Sequence, residues 1–175
     1  MSCLSMDYHF LLLCQRDIRF GTAEHVPSRT ANQLAKLLMK MVKLYAVGGF
    51  VVRNVLMDGE FEKVKPEVAL IDIIISAARE YVGKIDIYHR TLKERRRCVL
   101  SDMRPVGCNA YQYPDKKILI RLIYFCIMMV NAVPAAKGIS NRFFPSEIVT
   151  GRHLNFKYFQ DAFGEYIDAS VYGGV

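Results

Sequence analysis

Residues 27–49 read PSRTANQLAKLLMKMVKLYAVGG, and this stretch narrows the folding options of the chain more than any other. Pro27 with Ser28 or Thr30 starts a helix, since proline suits a first turn and a hydroxyl can accept from the orphan amides there. Leu34, Leu37, Leu38, Met41 and Leu44 or Tyr45 recur at helical spacing and make one apolar stripe. Gly48–Gly49 ends it. Apolar runs stand on both sides: HFLLLC (His9–Cys14) and IRFGTAEH (Ile18–His25) before it, and Phe50–Met57 after it. The first two read as strands around a turn at Gln15–Asp17, and the weak alternation of HFLLLC implies burial on both faces. A one-sided helix between strands needs a sheet to cover, so the class is α/β. The strand–helix–strand unit implies a parallel pair.

Val68–Ser76 (VALIDIIIS) reads as a further strand, with Asp72 either at an edge or paired. AAREYVG is a loop or a helix lead-in that carries Glu80. Lys84 to about Leu100 reads as a helix, followed by a polar loop with Pro105, Gly107 and Pro114. Lys116–Val133 is a long apolar helix halted by Pro134. Its run from Ile118 to Val133 contains Arg121 and is short for a membrane span, so a buried core helix is expected and no membrane partner. Beyond it, Gly138–Gly151 and an aromatic-rich tail (Phe156, Tyr158, Phe159, Phe163, Tyr166) read as short elements on the surface. The expected order is β-β-α-β-β-α-α, with residues 1–135 as the core and residues 136–175 as an extension packed on it.

At 175 residues the chain suits one domain with a real core, and 52% hydrophobic residues argue against disorder. Lys plus Arg number 24 against 17 acids, a net charge of +7 that suits a polyanionic partner. Cys3, Cys14, Cys98, Cys108 and Cys126 include no CxxC pair, so a zinc site is not expected. Cys14 and Cys126 lie in apolar runs and read as buried thiols in a reducing, intracellular compartment. The N-terminus has neither a basic n-region nor a small-residue cleavage site.

Two places carry candidate chemistry. Asp58 ends an apolar strand, where ligands gather in open α/β sheets; with Gly59 it could equally form an ordinary Asp-Gly turn. Glu60 and Glu62 then read as solvent-facing acids. In VGKIDIYHRTLKERRR, Asp86, Arg90, Lys93 and Arg97 share one helix face, with Ile85, Leu92 and Val99 on a neighbouring apolar stripe. That face is either a solvated one, with an Asp86–Arg90 pair worth about 0.2–0.5 kcal/mol, or a ligating acid backed by cations that hold phosphates. Glu94 reads as pairing with Arg90 or Arg97.

RDIRFGTAEHVPSRTANQL, GFVVRNVLMDGEFE, AAREYVGKIDIYHRTLKERRR and KGISNRFFPSEIVTGRHLNF, in that order, resemble the integrase catalytic core of Ty1/copia-like retrotransposons over residues 8–168. The resemblance implies a ribonuclease H-like mixed β-sheet flanked by α-helices. It implies a D,D,E site that uses two divalent ions, Mg2+ or Mn2+, to process DNA ends and join them to a target. It makes DNA the partner, with a homo-oligomer and a nuclear destination as further expectations. Asp58 matches the family's second aspartate. The glutamate, four residues before an arginine, is Asp86 before Arg90, so its oxygens are retracted by roughly 1.5 Å, and magnesium is intolerant of such shifts. Lys84, Arg90, Lys93 and Arg97 are the expected DNA contacts. The family's first aspartate belongs on an opening strand ahead of HFLLLC. Only Asp7 is an acid there; Asp17 matches a turn, and the chain is expected to be a truncated core. Nor do His9, His25, His89 and His153 reproduce the HHCC module that precedes such cores. Two states are therefore expected as alternatives: a metal-dependent polynucleotidyl transferase, or a non-catalytic remnant or interaction module of the same fold.

Overall fold

In a computed structural model, residues 9–76, 83–103, 114–134, 138–159 and 162–164 are described here, apart from the side chains of Lys84 and Tyr158. β1 (His9–Cys14) pairs antiparallel with β2 (Gly21–Val26), with Leu11 opposite Glu24. α1 (Ala31–Val47) follows, then β3 (Asn54–Met57), a 3₁₀ segment (Gly59–Glu67) and β4 (Asp72–Ile75). α2 (Gly83–Asp102), α3 (Lys116–Asn131), the short α4 (Pro145–Thr150) and a 3₁₀ turn (Phe156–Phe159) complete the described chain.

The layers follow from the alternation of side chains along β1. Phe10 packs with Ala23, Tyr88, Leu92, Leu122, Ile123 and Cys126, which belong to β2, α2 and α3. The next residue, Leu11, packs with Val26 of β2, Leu34 and Leu38 of α1, Val55 of β3 and Ile73 of β4. Consecutive strand residues point to opposite faces. So α1 covers one face of the β1–β2 hairpin and the α2–α3 pair covers the other. The missing alternation of HFLLLC is the signature of this double cover.

Thr30 caps α1, its hydroxyl accepting from the Gln33 amide at 3.4 Å. At the other end Gly48 allows a close approach: a Cβ there would lie 1.6 Å from the Val149 carbonyl oxygen of α4. Of the two alternatives for the end of the stripe, Tyr45 is buried and Leu44 is 44% exposed. The buried Tyr45 hydroxyl donates to the Phe20 carbonyl oxygen at 3.0 Å, and Val149 packs with Ile18, Phe20 and Tyr45. Residues 138–159 are thus tied to the hairpin; the Ile139 amide also donates to the Asp17 carbonyl oxygen.

One expectation needs correction. The unit β2–α1–β3 does not form a parallel pair. Among the described residues β2 pairs with β1 alone, and the parallel pair is β3 with β4, Val55 opposite Ile73. The reason lies at the outer edge of β2, which side chains of α3 occupy. The Gly21 amide donates to Asn131 Oδ1 at 3.0 Å, Asn131 Nδ2 donates to the Gly21 carbonyl oxygen at 2.8 Å, and the His25 amide donates to the Tyr124 hydroxyl at 3.2 Å. A third strand cannot bond where a helix already satisfies the backbone. α1 therefore carries the chain across to a second two-stranded sheet.

Strand lengths also differ from expectation. Ile18–Phe20 lie outside β2, with Arg19 at φ +64°, and β3 and β4 keep only four residues each. Val51 is 82% exposed, so that part of the run buries nothing a strand would need. Cys126 is buried, as expected, whereas Cys14 is half-buried and Cys98 exposed. No helix among the described residues is long and apolar enough to cross a membrane. Residues 1–8, 77–82 and 104–113, with Asp7, Glu80, Cys3 and Cys108, lie outside the described residues.

Candidate nucleic-acid interface

Asp58 stands at the carboxyl end of β3, where the sequence puts it. Its Oδ1 accepts from the Glu60 amide at 3.1 Å, so the carboxylate caps the 3₁₀ segment. Glu60 and Glu62 are exposed beyond it, while Phe61 and Val64 anchor the segment in the core beneath α1. Both readings of the DG pair are thus compatible with what Asp58 does: it makes the turn, and it does so at a strand end.

Asp86 lies in the first turn of α2 and is half-buried. A carboxylate in a first turn is favoured by the helix dipole whether or not it binds anything. Among the described residues no group of three His, Cys, Asp or Glu side chains converges as a metal centre would require. The donor set in view is therefore Asp58 and Asp86 on separate elements, one of them engaged as a cap.

α2 carries the strongest local charge. Its sequence holds six Lys and Arg against three acids. Tyr88 and Leu92 bury one face against β1 and α3, with Ile85 and Val99 half-buried. Arg90, Arg95 and Arg97 are exposed, and Lys93 is half-buried. Among the described residues no carboxylate lies within ion-pair distance of any of these four, and neither the Asp86–Arg90 pair nor a Glu94 pair forms. The spacing of Arg90, Lys93 and Arg97 sets them on one side of the helix, a side that Asp86 and the exposed Glu94 share without closing an ion pair, and cations so placed can meet a phosphate backbone. Lys84 belongs to the first turn of α2, and its side chain lies outside the described residues.

Three groups on α2 escaped the sequence reading. His89 is buried, and burial, aided by the Lys93 charge and opposed by Asp86, lowers its pKa to about 4. Arg96 is half-buried against α3, with its Nε unpartnered among the described residues. The Tyr88 hydroxyl is buried without a hydrogen-bond partner among the described residues, tight against Gly21, where a Cβ would come within 2.0 Å of the ring. A polar residue on a helix gives no sign of facing inward until its neighbours are known. Only the period of Ile85, Leu92 and Val99 hinted that positions 88 and 89 adjoin the apolar stripe.

The architecture, an α/β fold with small sheets between helical layers, is similar to the ribonuclease H-like fold of integrase catalytic cores. The crystal structure of the catalytic core domain of BIV integrase is similar, with a TM-score of 0.55. The match covers 82% of this chain and 86% of that one at 15% sequence identity. No protein-family model and no curated protein matches the sequence.

Proposed function

We propose that this chain is an integrase-core-type domain, of the Ty1/copia kind its sequence resembles, whose activity is sequence-independent binding of DNA. Arg90, Lys93 and Arg97 of α2 hold backbone phosphates; Lys84, in the first turn of the same helix, and the exposed Arg95, farther round it, are further candidate contacts. The observation that carries this reading is that row of exposed or half-buried cations with no carboxylate in ion-pair distance among the described residues. An isolated solvated face normally intersperses both signs within reach of each other. Contacts to phosphate fix position without reading sequence. Binding should therefore weaken steeply with salt, and each cation removed should lower the salt slope by about one. Titration of a labelled duplex against Arg90→Ala, Lys93→Ala and Arg97→Ala, singly and combined, measures this. Affinity that ignores both salt and these substitutions would sink it.

A second reading, metal-dependent strand transfer with Asp58 and Asp86 as ligands to Mg2+ or Mn2+, is supported by the place of Asp58 at a strand end. Saturable magnesium binding that Asp58→Asn abolishes, followed by calorimetry, would favour it over binding alone.

A further inference from the structure

Residues 138–159 carry an aromatic and cationic surface to which the α2 interface gives no role. Gly151, at φ +67°, ends α4 and turns the chain back. Glu147 gathers the returning segment. Its carboxylate accepts from the Leu154 amide at 3.1 Å and the Phe144 amide at 3.3 Å, and meets His153 Nδ1 at 3.3 Å. That brings Phe156 against Phe144, with ring centroids 5.7 Å apart. Asn155 Oδ1 accepts from the Lys157 amide at 3.1 Å and starts the 3₁₀ turn, in which side chains three apart eclipse. Phe156 and Phe159 therefore stand together, at 6.2 Å. The result is a row of three rings whose middle member, Phe156, is 57% exposed while the outer two are half-buried.

The charges of this segment are of one sign. Arg142, Arg152 and Lys157 are exposed, and among the described residues no carboxylate lies within ion-pair distance of them. Glu147 is the one acid from Gly138 to Phe159, and its carboxylate is turned inward on the donors named above. We infer that this surface docks an acidic segment of a partner protein that also carries aromatic or aliphatic side chains. The inference does not depend on the α2 reading. Charge complementarity selects the acids, and the exposed ring selects the apolar side chains. Aromatic residues and arginine are what protein interfaces concentrate. A single nucleic-acid strand fits less well. Bases stack on open ring faces in series, whereas Phe156 meets its neighbours at 76° and 45°, and Arg142 lies over the Phe143 ring, 5.7 Å from its centroid. Rings set edge to face leave clefts for side chains, not planes for bases.

The scaffold beneath the row is fixed before any partner arrives. Pro145 and Val149 are buried, and Val149 packs with Ile18, Phe20 and Tyr45. The Ser146 hydroxyl donates to the Asn131 carbonyl oxygen at 2.9 Å, and the Ile139 amide to the Asp17 carbonyl oxygen at 3.0 Å. A preformed surface loses little entropy on binding. Arg152 precedes Phe156 in the chain and Lys157 follows it, so the acids of the partner should flank its apolar residue. α4 rests on Ile18, Phe20 and Tyr45, whereas α2 rests on Phe10, Leu122 and Cys126. The two surfaces thus stand on different parts of the core.

The test uses the whole chain and a short labelled peptide that alternates Glu with Phe or Leu, followed by fluorescence anisotropy. Saturable binding is expected. Phe156→Ser should weaken it roughly tenfold or more, the usual loss at an anchoring side chain. Arg152→Ala with Lys157→Ala, a change confined to exposed side chains, should weaken it by a similar factor with an unchanged circular dichroism spectrum. Arg90→Ala with Arg97→Ala on α2 should leave it as it was. The same peptide with Ser in place of Phe and Leu should bind roughly tenfold more weakly. No saturable binding, or binding indifferent to both Phe156→Ser and the Arg152 and Lys157 pair, overturns the inference. So does binding that only the α2 pair abolishes. A Ser peptide that binds equally well overturns the role of the rings. An oligothymidine strand that displaces the peptide equally well per charge overturns the assignment to a protein partner. Duplex binding measured alongside reports on α2 separately, so either reading can fail without the other.

Discussion

His89 is a histidine on a basic helix that the fold keeps neutral. Its pKa is lowered to about 4 first by burial and then by Lys93, so protonation favours the unfolded chain, where the ordinary value is 6.5. The stability this group contributes is complete above pH 6.5 and is lost as pH falls toward 4. Thermal denaturation from pH 7.5 to 4 should show a steeper decline of Tm for wild type than for His89→Gln. Parallel curves would contradict the burial of the ring. None of this was legible in YHRTLKERRR, where His89 is one polar letter among cations. The shared face of Arg90, Lys93 and Arg97 was legible, because it follows from helical spacing alone. What Asp58 and Asp86 do together was not, since it depends on two elements far apart in sequence meeting or failing to meet.

Elements were most readable where their ends carry local chemistry. Thr30 and the Gly48–Gly49 pair bound α1 because capping and chain reversal are decided within a few residues. The strands were less readable because a strand's length is set by its partner: Phe50–Val52 is apolar enough to be β but has no ladder, and β3 begins only at Asn54. Gly48 has a second duty that local reasoning missed, since the Val149 carbonyl oxygen of α4 occupies the space a side chain would need. Gly48→Ala should therefore cost about 1–3 kcal/mol, the usual range for overpacking. Hydrogen exchange should show α4 losing protection while the middle of α1 keeps its own. Equal loss in both helices would mean that α4 does not dock separately on the end of α1.

At the scale of the molecule the sheets, not the helices, decide the architecture. The order of elements was legible, but their division into two separate pairs was not. Asn131, at the far end of α3, helps make that division by occupying the backbone of Gly21, with the Tyr124 hydroxyl taking the His25 amide farther along the same edge. Asn131→Ala would orphan one donor and one acceptor at a buried strand edge. Each such group costs about 1–3 kcal/mol, and the opened edge is a template for pairing with another chain. Chemical denaturation should show the lost stability, and light scattering should show association that wild type lacks. A variant as stable and as monodisperse as wild type would show that the amide does not guard the edge.

The same amide sets a condition on synthesis. Gly21 and Asn131 are 110 positions apart in the chain. At roughly 5–20 residues per second, a ribosome needs about 6–20 s to reach the asparagine after passing the glycine. For that interval the nascent hairpin has nothing from α3 to shield it. A holdase that binds extended apolar chain would find its target there, and slower translation between these two codons would lengthen the exposure in proportion.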